Sequence, residues 1–550
     1  MVCWLEELPS ELLEHLLTFF GLPSLLSLSA TSRSFHYLIS TSYLPTYTLS
    51  HYNYDPRTLS HLRFHSGSIP WAPRALWADA VSRRFSNLEF RAAALGGPNR
   101  VWKRCLPVVK LWTTSDGRGI VLIARGRGME VWEADRDGVM RGQAALVDGI
   151  DNTRALGRPA NTRNDPRRAE NSQEDITALA DGIASGEVVV ARVNGLVQRL
   201  RVKRDGHPQY PLELSEVARY SVTPLSAIAK GSSTTVQALS SSGGLLASAA
   251  TTRYRPGGQD GTATPKGDDP STIHSLAQTL SQRAAPKAHS VSLHALNSPW
   301  ESPSAIPFAT KPWSVLLSPS SSPSWLAVGH TGTSPLSLIP LTPSGPLPSS
   351  MTTLAYTKRT TSVYGLATPS LQSSPFLSPT NTLIAAFYDS TTRVYDLRVP
   401  GPPSPSSASA GALVSATSWD DDPSSRPKNE VMRLADPWAD DASYSVACGG
   451  AHGAYVAVGS ARNGAVRLFD VRSPSKVRGI TAFSPGRDKS PVYGLAMEGS
   501  RLYGVTDQRG FVMDWDAFES PGMERVAYVS HEKREGGGGG ELRWTGAERR

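Results

Sequence analysis

Cysteine is nearly missing. Three occur in 550 residues, Cys3, Cys105 and Cys448, with no CxxC pair among them. This excludes a disulfide framework and a thiolate metal knuckle, and it fits a reducing compartment. Long apolar runs are missing too, since none approaches the ~18 residues that a membrane helix needs. A secretion signal is not expected, because Glu6, Glu7, Glu11 and Glu14 stand where it would carry positive charge and then unbroken apolar sequence. No Asn-x-Ser/Thr sequon occurs. The expectation is a protein of the cytoplasm, the nucleus or both, with no membrane partner.

Motifs for chemistry are equally scarce. There is no GxxxxGK[ST] phosphate loop, no HExxH and no Gly-x-Ser-x-Gly. Gly117-Arg118-Gly119 and Gly126-Arg127-Gly128 begin like dinucleotide fingerprints but lack the third glycine, and strand hairpins explain them better. His289 and His294 flank an expected strand with no cysteine or carboxylate at ligand spacing. Asp389 and Asp507 sit at hairpin turns, where aspartate bonds the local backbone. We therefore expect no catalytic residue, no cofactor and no metal. The charge is a mild +8, from 56 basic against 48 acidic residues. Arginines crowd 125–136 and 154–168, but interspersed Glu130, Glu133, Asp135, Asp137 and Asp165 make these solvated loops rather than a nucleic-acid surface.

What the chain does have is turn formers and one greasy stretch near its start. The 42 Pro and 47 Gly fit a turn-rich β protein with polar insertions. Leu8 to Ser40, LPSELLEHLLTFFGLPSLLSLSATSRSFHYLIS, reads instead as three short helices. Pro9 suits a first helical turn, and Leu12, Leu13, Leu16, Leu17 and Phe20 make one wide apolar face. Gly21 is a stop, Ser24 can cap a second helix, and Thr31 or Ser32 can cap a third. A unit below ~40 residues seldom supports its own core. Its leucines therefore need a further surface, either the next part of the same chain or a partner.

The order Leu8-Pro9, Glu11-Leu12, Leu16-Leu17, Leu22-Pro23, Leu25, Leu28, Ser32-Arg33-Ser34-Phe35 and Leu38-Ile39 resembles the F-box. Phe35 stands where a tryptophan is usual, and the segment before Leu25 lacks the common acidic residue. The resemblance implies docking on the small Skp-type adaptor of a cullin–RING ubiquitin ligase. On that implication Leu8, Pro9, Leu12, Leu16, Leu17, Leu25, Leu28 and Phe35 form the adaptor contact.

After about Val101 the apolar period becomes two-fold and a unit recurs. Tyr444 to Arg472 shows it best: apolar run, turn, apolar run, the Asn463-Gly464 hairpin signal, then a strand ending in an aromatic and an acid. Residues 363–398 and 492–516 repeat the plan and share the word VYGLA. Fainter copies lie at 120–133, 187–203, 234–251 with 289–296, and 312–341. About seven units, uncertain by one, are the pattern of a β-propeller with four strands per blade, and they argue against two stacked sandwiches. Trp132-Glu133, Tyr395-Asp396, Phe469-Asp470 and Trp515-Asp516 resemble the WD position of the WD-repeat family, where the aromatic fills the wedge between blades.

The expected fold class is mainly β. A small N-terminal all-α F-box module (5–45) leads through a helical bridging region (46–100) to a roughly seven-bladed propeller (101–530), then a disordered tail (531–550). In the bridge, Trp77, Ala80, Val81 and Phe85 share a helical face that can pack the module against the propeller. Polar, Pro/Gly/Ser-rich stretches near 135–173, 253–287 and 399–441 are expected to be disordered insertions. F-box proteins with propellers are substrate receptors, so the resemblance implies a Skp-type adaptor, through it a cullin, and a protein target. Three alternatives stand beside this. Tyr395-Asp396-Leu397-Arg398 and Phe469-Asp470-Val471-Arg472 resemble the WDxR box read by the larger adaptor of another cullin. The chain could also be an F-box scaffold without a ligase role, or a nucleic-acid-binding propeller.

Overall fold

The structure is a computed structural model. It describes residues 8–51, 70–87, 90–95, 106–113, 119–126, 128–134, 140–146, 175–203, 213–222, 233–253, 287–357, 359–369, 378, 380–399, 429–436, 440–450, 453–473, 477–481, 490–516 and 524–526.

Three short helices open it: α1 (Ser10–Leu17), α2 (Leu22–Ser29) and α3 (Arg33–Leu38). The Ser32 hydroxyl caps α3 by accepting the Phe35 amide at 3.2 Å. Ser24 is not a cap. It lies inside α2, which starts from Gly21 in extended geometry with Pro23 in its first turn. A π-helical turn, Ile39–Tyr43, runs into α4 (Leu44–His51). Then comes α5 (Trp71–Asn87), the longest helix among the described residues.

Beyond it the described elements are antiparallel strands and one short 3-10 turn, Pro348–Ser350. Blade 1 is Val108–Thr113, Gly119–Arg125, Gly128–Ala134 and Met140–Leu146. Blade 2 is Ile176–Asp181, Glu187–Arg192, Leu196–Lys203 and Glu213–Ser221. Blades 3 to 6 begin at Ser233, Pro312, Thr361 and Ser443 and repeat the four-stranded meander. The innermost strand of each blade packs against that of the next, and blade 7 (from Val492) packs back on blade 1. The ring closes at seven blades, which fixes the count the sequence left open by one.

Burial explains why these runs are strands. Glu187–Arg192, Thr382–Phe387, Tyr455–Ser460 and Arg501–Thr506 are second strands buried along their whole length. Both their faces are covered by neighbouring blades, so EVVVAR and TLIAAF carry little polar alternation. The four WD-like aromatics are buried and lie between blades. Trp132 packs with Tyr503 and Val505 of blade 7, and Tyr395 with Trp325 and Leu336 of blade 4. Phe469 packs with Ile384 and Val394 of blade 5, and Trp515 with Tyr455 and Leu468 of blade 6. The Asn463-Gly464 turn has both φ positive, 60° and 55°, as a tight hairpin requires.

Three boundaries differ from expectation. The propeller begins before residue 101, because Phe90–Leu95 pairs with Gly510–Asp514 as the fourth strand of blade 7. FRAAAL hid this, since its alanine run favours helix. The expected insertion 135–173 contains the strand Met140–Leu146, and 399–441 contains Glu430–Ala435. Both are the outermost strands of their blades, where one edge is unpaired and the apolar pattern fades. Residues 135–139, 147–173, 254–286, 400–428 and 437–439 and the tail 531–550 lie outside the described residues.

Candidate functional site

The helical module folds around Leu13, Leu17, Leu22, Leu25, Phe35, Ile39 and Leu44, and α5 completes this core with Ala75. Trp71 and Ala72 of α5 pack at its edge, and the Arg74 guanidinium lies 4.8 Å over the Trp71 ring. Part of the need for a covering surface is thus met by the chain itself.

This sorts the sequence candidates. Leu17, Leu25 and Phe35 are closed inside the module, each at most 1% exposed. They build the fold and offer no surface, which corrects their assignment as contact residues. Leu8 and Leu28 are half-buried at the rim of the core. Pro9, Leu12 and Leu16 face solvent. The reason is helical geometry: Leu13 and Leu17 share one stripe of α1, Leu12 and Leu16 the adjoining one. Only one stripe can point at α2 and α3.

The outward stripe is larger than the sequence reading gave. Leu12 is 54% exposed, Leu16 41%, Phe19 75% and Phe20 42%. Phe19 meets His15 edge-on at 5.3 Å. Tyr37 of α3 is exposed as well. Phe19 and Phe20 both follow the last helical residue, Leu17; the sequence reading took only Phe20 into the apolar face, although Phe19 continues the i, i+4, i+7 spacing of Leu12 and Leu16.

The second element of the site is the connection. Trp77, Val81 and Phe85 of α5 face the propeller as their spacing predicts. Phe85 stacks on Trp515 at 4.2 Å and 7°, and on Tyr455 at 4.8 Å. Trp77 Nε1 donates to Asp516 Oδ1, and Arg84 donates to the carbonyls of Trp515 and Asp516, each at 3.2 Å. One helix of about 25 Å therefore ends in both cores, and two residues later the chain enters the closing strand.

Among the described residues no group of His, Cys, Asp and Glu could hold a metal, and no helix is long and apolar enough to cross a membrane. Cys448 is buried, which pushes its thiol up to about 12 and away from thiolate chemistry. Arg398 and Arg472, the arginines of the WDxR-like boxes, are each held by the aspartate two residues back at 2.7 Å. Arg472 also donates to Tyr455 Oη at 3.1 Å, beside Phe85.

A family model of the F-box domain matches residues 5–47. No curated protein matches the chain. Among solved structures, it is similar to the β-propeller domain of Myceliophteria thermophila Cps50 (Swd1), at 12% identity and a TM-score of 0.42, over 76% of this chain and 98% of that one.

Proposed function

We propose that this chain is the substrate receptor of an SCF-type cullin–RING ubiquitin ligase. Its F-box takes the Skp-type adaptor, its propeller takes a protein target, and it acts in the cytoplasm, the nucleus or both. The observation that carries this reading is the stripe Leu12, Leu16, Phe19 and Phe20, wet on a module whose own core is already closed. Covering each such side chain contributes roughly 1.5–3 kcal/mol, so a complementary groove gains a firm hold. The mechanism is proximity. A target held on the propeller meets the charged ubiquitin-conjugating enzyme at high effective concentration, and the chain itself supplies no reacting group.

The bonds that tie Arg398 and Arg472 to their own aspartates favour the Skp-type adaptor over the larger one. The test is capture of each purified adaptor by the full chain and by Leu12→Asp/Leu16→Asp. We expect the double variant to keep its melting temperature and to lose small-adaptor capture about tenfold or more. Undiminished capture would sink the proposal. Capture without ubiquitin transfer to bound proteins would leave a scaffold.

A further inference from the structure

A feature of the propeller recurs in six of its seven innermost strands. Near its start each carries a bulge, with register shifts between Ile176 and Ala178, Val236 and Ala238, Pro312 and Ser314, Val363 and Gly365, Ser443 and Ser445, and Val492 and Gly494. A bulge re-aims the extra side chain. In blades 4 to 7 that side chain is aromatic: Trp313, Tyr364, Tyr444 and Tyr493. They meet at one mouth of the ring. Trp313 lies 4.8 Å from Tyr364, Tyr364 stacks on Tyr444 at 4.7 Å and 3°, and Tyr493 meets Tyr444 edge-on at 6.0 Å. All four are half-exposed, so the arc is a surface and not a core.

Hydrogen bonds hold it in place. Trp313 Nε1 donates to Thr331 Oγ1 at 2.9 Å, and Thr331 Oγ1 lies 2.8 Å from Ser362 Oγ, which in turn bonds Tyr364. At the blade 4 end stands Lys311, its Nζ 3.4 Å from the centroid of the Trp313 ring. Lys287 and Arg253, cross-strand partners at the same rim of blade 3, add two more cations. Among the described residues none of the three has a carboxylate partner. Blades 5 and 6 differ: Asp436, just after the last strand of blade 5, and Asp441, just before the first of blade 6, are paired with Arg467.

We propose that this arc is the target-binding site, and that its ligand is an extended acidic peptide. An Asp or Glu carboxylate would meet Lys311, and the next aromatic or proline side chains would lie along Tyr364 and Tyr444. This rests on the receptor reading only for calling the peptide a target segment. Charge complementarity selects the acid, because three cations share one corner with no counter-charge among the described residues. Two of the three cations are lysines, which attract an anion as point charges, and the paired libraries below decide between carboxylate and phosphate. Burial and the two neighbouring cations already pull Lys311 down to about 8, so one negative charge restores its full protonation.

The test is selection of a displayed random decapeptide library on the full-length protein, beside a matched library carrying phosphoserine. Wild type should enrich peptides rich in Asp and Glu next to aromatic residues or proline. Lys311→Glu should lower their recovery about tenfold, and Lys311→Arg should retain it. Tyr444→Ala should weaken recovery with the melting temperature unchanged. Absence of acidic enrichment, equal recovery by Lys311→Glu, or enrichment confined to phosphoserine would overturn the proposal. So would deletion of 254–286 raising recovery about tenfold, which would assign the corner to the chain's own Asp260, Asp268 and Asp269. Adaptor capture by the same preparations reads the F-box separately, so either half can fail alone.

Discussion

Single residues in this chain divide sharply by environment. His294 illustrates it. Burial pulls its imidazole down to about 4, against 6.5 when free, so the folded chain keeps it neutral beside Ser248 and edge-on to Tyr220. The unfolded chain takes up a proton there below about pH 6.5. Stability from this site is therefore complete above that pH and drains away as pH falls toward about 4. Between pH ~7 and ~5 the loss is about 2 kcal/mol. We expect denaturant melts of His294→Gln to lack that share of the acid slope shown by wild type. A parallel slope in both would show that the ring is solvated. Its burial was not legible beforehand, since a histidine beside a two-fold apolar pattern looks the same whether it faces solvent or a neighbouring blade. The same limit hid which leucines of α1 are wet. Leu12, Leu13, Leu16, Leu17 and Phe20 announce an amphipathic helix, but only the packing of α2, α3 and α5 decides that Leu13 goes in and Leu12 stays out.

At the scale of elements, two pieces do more than their length suggests. The helix α5 places Ala75 in the module core and Phe85 between Tyr455 and Trp515. Phe85→Ala removes a fully buried ring from the blade 6–blade 7 contact and should destabilise the propeller by about 3–5 kcal/mol. Calorimetry would show it as a lowered melting temperature, and an unchanged one would mean that α5 does not seal this contact. The strand Phe90–Leu95 supplies the ladder that blade 7 needs from Gly510 to Asp514. Ala93→Pro puts a proline ring inside this paired strand and should open the ring of blades, seen as protease cutting within blade 7. Intact blades would mean the remaining strands close it without help. The periodic, two-fold runs of the seven units and the face of α5 were legible because burial there repeats. Fourth strands were not, because MRGQAAL and FRAAAL carry no alternation of their own and are strands only because a neighbouring strand pairs with them.

For the whole molecule, the two ends of the propeller sequence are joined by hydrogen bonds, and the helical module is anchored at that same seam. A surface on α1 and the aromatic mouth of the ring are therefore parts of one continuous solid, tied through α5 and blade 7. A tether of flexible residues would let a bound segment sweep a large volume. A helix with an end in each core instead holds the path from the α1 surface to the arc at one length and one angle. On the receptor reading, which lysines of a target come within reach is then set largely by where its acidic segment sits along the arc.

That seam has a consequence for biosynthesis. The strand Phe90–Leu95 leaves the ribosome long before blade 7 and must wait for it before its backbone groups find their partners. Throughout translation the nascent chain carries the module and an open sheet edge together. A message truncated anywhere before Gly510 yields a product with no closing ladder, and such a product exposes the kind of edge that chaperones and proteases clear.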